Sequence, residues 1–140
     1  MTEGSRTIQV SRDGIVRDAT VTWRFERTSW VVEIACPGFG KAEARADDAF
    51  EALCLIREEL EPFGWQIGVA GAQANVWPSG MARDQGGGLR AYRMTPERVG
   101  DLVDTFEPVD PETVTTVALQ RAETDRLYKE IRRRARTDPS

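Results

Sequence analysis

The residues best suited to chemistry lie in one stretch, Ala74 to Gly88, which gathers a Ser, an Arg-Asp pair, a Trp, a Met and three consecutive glycines. Gly86, Gly87 and Gly88 free the backbone to take positive φ or to approach another group closely, and consecutive amides there are able to cradle an anion. Ser79 would donate a hydroxyl, and Arg83, beside Asp84, would meet a carboxylate or phosphate as a two-pronged fork. The pattern is not the phosphate-binding loop, which needs Gly-Lys-Ser/Thr at fixed spacing before a helix. Nor is it the dinucleotide fingerprint, because here the glycines lead into a strand rather than opening a helix after one. The alternative is a wide connection between two antiparallel strands. Trp77 and Met81 would then pack back on the core, and Arg83 and Asp84 would pair with each other.

The rest of the chain limits what that stretch can do. With no histidine among 140 residues, Ser-His-Asp and Cys-His catalysis are excluded, and zinc and non-haem iron lose their usual ligand. Cys36 and Cys54 form no CxxC and read as small buried hydrophobes. We expect no catalytic residue, no metal and no cofactor. A net charge of −4 and a pI near 5.0 argue against general nucleic-acid binding. The basic run Arg132, Arg133, Arg134 and Arg136 suits the negative end of a helix dipole. Asp47-Asp48 sits where a helix start favours acids, and Glu58, Glu59 and Glu61 read as a wet face. Trp23, Trp30, Trp65 and Trp77 read as core rather than as a stacking platform. No apolar run is long enough to span a bilayer, and the first residues lack the apolar stretch of a signal peptide. The expected compartment is the cytoplasm.

These residues must be positioned by a short list of elements. Ile8 to Val10 suits a short edge strand and Ser11 to Gly14 a turn. Alternation over Thr20–Glu26, a turn at Arg27-Thr28-Ser29 and the β-branched run Trp30–Cys36 predict an antiparallel hairpin. Pro37 to Gly40 breaks the sheet. A helix follows from about Asp48 to Leu60, with Asp47 as N-cap and with Leu53, Ile56 and Leu60 facing the sheet. Arg57 falls in the same helical spacing. Pro62 and Gly64 end it. Trp65–Gly71 and Leu89–Met94 read as strands around the long loop Ala72–Gly88. Asp101–Phe106 alternates weakly and also fits a helical turn. A C-terminal helix runs to about Arg136, with Thr116 as its N-cap. The order β-β-α-β-β-(β)-α, without regular strand–helix alternation, predicts one α+β domain over residues 1–140. Its antiparallel sheet would have four or five strands, and flexible tails are expected at about 1–7 and 137–140.

The run Trp77-Pro78-Ser79-Gly80-Met81-Ala82-Arg83-Asp84-Gln85-Gly86-Gly87-Gly88, followed by Ala91-Tyr92, resembles a segment of small uncharacterised bacterial proteins. In those a Val-Asp-x-Phe-Glu element and a Gln-containing last helix follow; Val103 to Glu107 and Gln120 match them. Position 85 departs, being Gln where Met is expected. The resemblance covers roughly the second half of the chain and implies a fold order but no activity. Two functions stay open: a non-catalytic module of the bacterial cytoplasm that binds another protein, an immunity-type protein being one concrete form, or a small-molecule or anion-binding protein built on Ser79, Arg83, Asp84 and Gly86–Gly88, which as an enzyme would have to use carboxylates, Arg, Tyr, Ser or a cofactor. The sequence does not fix an oligomeric state.

Overall fold

The structure, a computed structural model, describes residues 3–137. It is α+β, with a curled five-stranded antiparallel sheet in the order β4-β3-β2-β1-β5, a small three-stranded antiparallel sheet in the order β6-β7-β8, and three α-helices. The strands are β1 (Glu3–Arg12), β2 (Ile15–Glu26), β3 (Ser29–Cys36), β4 (Gly40–Ala46), β5 (Gln66–Gly68), β6 (Val76–Trp77), β7 (Arg90–Met94) and β8 (Val99–Asp104). The helices are α1 (Ala49–Leu60), α2 (Gly80–Gly86) and α3 (Val117–Thr137).

The large sheet forms because β1, β2 and β3 alternate over much of their length. Ile8, Val10, Ala19, Val21, Val32 and Ile34 face inward and are buried, while Thr20, Thr22 and Arg24 fall on the opposite face. Asp13 and Gly14, at φ +52° and +78°, close the β1–β2 hairpin with left-handed turn residues that match the strand twist.

The expected hairpin is β2–β3, paired from Thr20 with Ala35 to Glu26 with Ser29. Three expectations for this sheet are corrected. Residues 3–7 are not a tail: they pair with β2 from Glu3 opposite Arg24 onward. Glu3, Ser5 and Thr7 occupy the solvent face, Arg6 reaches Asp104 from the inner one, and Gly4 lies under Trp23, where a Cβ would come within 2.4 Å of the ring. Residues 1, 2 and 138–140 lie outside the described residues, and Thr137 belongs to α3.

The chain also does not leave the sheet at Pro37–Gly40. It turns back into β4, which pairs along β3 from Cys36 opposite Gly40 to Trp30 opposite Ala46. Ala42, Ala44 and Ala46 form its inner face, and α1 packs against β3 and β4 over these small side chains. Finally, the strand after α1 is only Gln66–Gly68. From Ala70 to Ala72 the chain coils into a buried 3-10 turn.

The apolar face of α1 places Leu53 and Ile56, both fully buried, on the sheet beside Trp30 and Trp65. Phe50 and Cys54 lie on another side of the helix, with Val117 and Trp77. Burial pushes the Cys54 thiol up to about 11, so it behaves as a small hydrophobe. The weakly alternating segment is strand β8, paired with β7. Beyond it, Phe106 stacks on Trp23 at 4.7 Å between ring centroids. Thr116 accepts from Leu119 N–H and α3 starts at Val117, as its hydroxyl position suggests.

Arg57 is the largest fully buried side chain. Its Nη1 donates to Gln120 Oε1 at 2.5 Å and to Gly71 O at 3.4 Å, its Nη2 to Thr115 O at 2.7 Å, and its Nε to Glu61 Oε2 at 3.2 Å. Glu61 Oε1 accepts from Val117 N–H at 3.0 Å, capping the start of α3. Gln120 Nε2 lies within hydrogen-bond reach of the carbonyls of Gly71, Gln73 and Val76. Burial lowers the Arg57 pKa, and burial raises that of Glu61.

Removing one member of such a buried set leaves uncompensated polar groups. Arg57→Ala is expected to destabilise the fold by about 3–5 kcal/mol in urea unfolding, whereas truncating Arg27, exposed in a turn, should shift the midpoint little. On the outer face, Arg24 and Arg45 hold Glu26 at 2.7 and 2.9 Å. The Arg24 hydrogen bond, aided by Arg45, lowers the Glu26 pKa from 4.5 to about 2. The stability this contributes is present above the unfolded value and is lost as pH falls from about 4.5 towards 2. Thermal melts of Glu26→Gln should therefore show a shallower acid loss than the native chain, with the difference shrinking in high salt.

Candidate functional site

The stretch expected to be a loop contains β6 and the helix α2, and its glycines end that helix instead of bridging two strands as coil. Ser79 is the N-cap of α2: its Oγ accepts from Ala82 N–H at 3.0 Å. At the other end the N–H groups of Gly87 and Gly88 both point to Ala82 O, with Gly88 at 3.0 Å. Gly87 and Gly88 stand at φ +65° and +72°, in the left-handed region that favours glycine at a helix C-terminus. The amides considered for an anion therefore complete the hydrogen bonding of the helix end.

The same glycines dock α2 onto the start of α1. Ala49 N–H donates to Gly87 O at 2.7 Å, and Thr105 Oγ1 donates to Gly88 O at 2.6 Å. A Cβ on Gly87 would lie 2.3 Å from the Trp30 ring, and one on Gly88 would lie 2.7 Å from Asp48 Oδ1 and 2.8 Å from Phe50 N. Gly86 has open space around its Cα, so its small size is not demanded by a neighbour.

Asp48, not Asp47, caps α1. It is buried and extended at φ −145°, and its Oδ1 accepts from Glu51 N–H at 2.8 Å. Its Oδ2 faces Arg83 Nη1 at 3.2 Å, and Glu51 Oε2 lies 3.5 Å from the same nitrogen. The Arg83 guanidinium lies over the Phe50 and Trp77 rings at 5.2 and 5.5 Å, a cation–π arrangement. Arg83 thus pairs with α1 rather than with Asp84, which corrects the local pairing considered from sequence. Trp77 does pack inward, edge-on to Phe50 at 5.0 Å. Met81 does not, being 68% exposed.

The structure brings Ser79, Arg83, Gly87 and Gly88 together as an α1–α2 clamp, while Asp84 and Gly86 face outward. Both line an open groove of about 380 Å³, whose wall also includes Asp47, Phe25, Trp30, Leu89 and the edge of the clamp at Arg83 and Gly87. Sequence reasoning missed Asp48 and Glu51 as the partners of Arg83. The available signal was two acids in the first positions of a helix, able to serve both the helix N-terminus and a nearby cation. Among the described residues, no three His, Cys, Asp or Glu side chains gather as a metal-binding set. Among them too, no helix is long and apolar enough to cross a membrane. No family model and no curated protein matches the chain.

The clamp gives a prediction that separates its glycines. Gly88→Ala should destabilise the fold severely, because a left-handed φ and contacts below 3.0 Å with Asp48 and Phe50 coincide. Gly86→Ala, in helix and in open space, should be neutral or stabilising by up to about 1 kcal/mol. Parallel thermal melts of the two variants check the ordering.

Proposed function

We propose that this chain is a non-catalytic protein-interaction module of a bacterial cytoplasm, an immunity-type protein that covers a basic partner being its most concrete form. The observation that carries the reading is the inward engagement of the candidate ligand groups: Ser79 on Ala82, Arg83 on Asp48 and Glu51, and the Gly87 and Gly88 amides on Ala82. What the stretch leaves to solvent is surface. Asp47 and Asp84 stand on the walls of the groove, and Phe25, 46% exposed, lies with Trp30 and Leu89 beside them. Arg83 also borders the groove, its charge met by Asp48 and Glu51; the two remaining acids beside an apolar floor suit a Lys or Arg side chain, whose stem is apolar and whose head is charged. The net charge of −4 would steer a basic partner to it.

The anion-binding reading on Ser79–Gly88 would have to use Arg83 while its Nη1 is held by Asp48 and Glu51. A thermal shift produced by inorganic phosphate and abolished in a folded Arg83→Ala variant would favour it instead. The interaction reading is tested by isolating tagged native chain and an Asp47→Lys/Asp84→Lys variant from the source cell. A stoichiometric basic protein is expected with the native chain, its association slowed roughly tenfold or more by the double reversal and by added salt. A monomer with no companion, or a companion held equally by both forms, would overturn it.

A further inference from the structure

A second concavity lies where β1 and β2 of the large sheet face β7, β8 and the segment after β8. It has a volume of about 230 Å³ and is lined by Arg6, Trp23, Leu89, Arg90, Asp104 and Phe106. These residues come from four separate parts of the chain and meet only in the fold. Three of the six lining residues are apolar and three are charged, so the cavity joins an apolar wall to convergent polar groups, as small-molecule sites do.

The polar groups are unevenly matched. Asp104 Oδ2 faces Arg6 Nη2 at 3.5 Å, and Asp104 Oδ1 faces Arg90 Nε at 3.2 Å. Among the described residues, Arg6 makes one side-chain hydrogen bond, to Asp104, and Arg90 makes none. Two guanidiniums carry ten N–H donors between them in fixed planar forks, and one carboxylate accepts only a fraction of these. The corner therefore keeps a net positive charge and open donors inside an acidic protein. Beside it the cavity wall is apolar: Phe106 is buried and stacked on Trp23 with the ring planes 13° apart, and Leu89 is half-buried.

We propose that this cavity binds a small organic carboxylate. The carboxylate would join Asp104 between the forks of Arg6 and Arg90, and an apolar body of about one ring would lie against Leu89, Trp23 and Phe106. A second carboxylate suits the site because a guanidinium fork presents parallel donors at carboxylate spacing. The volume excludes a nucleotide-sized ligand. The apolar wall separates the site from one for a bare inorganic ion, which would gain nothing from Leu89 or the stacked rings. This inference does not rest on the interaction reading: it uses neither the clamp nor Asp47 and Asp84, and shares only Leu89 with their groove.

The test is a titration of the full chain, followed by amide and indole N–H resonances, with benzoate, its neutral analogue benzamide, and inorganic phosphate. Benzoate should shift the Trp23 indole and the Leu89 and Arg90 amides in a saturable way. Benzamide and phosphate should each bind roughly tenfold or more weakly, one lacking the charge and the other the apolar body. Arg90→Gln, at a side chain 62% exposed and so expected to keep the fold, should weaken benzoate by a similar factor. Three results would overturn the proposal: benzoate leaving these resonances unmoved, benzamide or phosphate binding as tightly as benzoate, or benzoate affinity unchanged in Arg90→Gln.

Discussion

A guanidinium removed from water must have its donors met inside the protein, because an unpaired buried charge costs several kcal/mol. Arg57 sets that condition for the helical half of this molecule. Its donors reach the side chains of Glu61 and Gln120 and the carbonyls of Gly71 and Thr115. Those acceptors belong to the end of α1, the coil after β5, and the approach to and first turn of α3. Each segment must hold its place for the cation to be tolerated, so one side chain ties together parts of the chain up to 63 positions apart. Gln120 extends the tie, its amide nitrogen facing the carbonyls of Gly71, Gln73 and Val76. Glu61 closes it, neutralising Arg57 with one oxygen and capping α3 with the other.

This polar joint explains how α3 stays attached although its buried face is poor in apolar residues. Val117, Gln120, Thr124 and Leu127 are its buried positions, and two of the four are polar. Specific hydrogen bonds fix where such a helix lies even when they add little net stability. The start of α1 follows the same logic on a smaller scale. The two Asp48 oxygens divide between the helix N-terminus and Arg83, and the Gly87 carbonyl takes the Ala49 amide. In both places a carboxylate serves a helix end and a cation at once, so the helices are held by shared acceptors as well as by their apolar faces.

Much of this was legible in the chain. The α+β class, the β2–β3 hairpin, the face of α1 carrying Leu53 and Ile56, and the Thr116 start of α3 follow from alternation, helical spacing and capping chemistry. β4 was hidden because its inner face is three alanines, residues with little preference for strands; the pairing with β3 and the cover of α1 decide its state. Residues 3–7 were hidden because Gly4 and Arg6 occupy inner positions and erase the apolar alternation. In Ser79–Gly88 the residue types were noticed and their roles were not. Ser followed by a short helix and then Gly-Gly is also the signature of an N-cap and a left-handed C-terminus. Arg57 stood in the apolar spacing of α1, and a cation in that stripe signals a buried partner, but Gln120 lies too far along the chain for spacing to identify it.

Polar side chains that satisfy one another are poorly placed to satisfy a ligand, since a ligand must first break contacts that the fold has made. That asymmetry orders the surface of this protein. At the α1–α2 clamp Arg83 has two carboxylates and two aromatic faces for one guanidinium. Between the two sheets the proportion is reversed, with Asp104 the one carboxylate that Arg6 and Arg90 share among the described residues. A glycine-rich segment draws the eye in sequence because glycine is so often found beside ligands, yet here its backbone approaches Trp30, Asp48 and Phe50. The donors left open are on arginines that no sequence motif connects, because strand register and the Trp23–Phe106 stack, rather than proximity along the chain, bring them together.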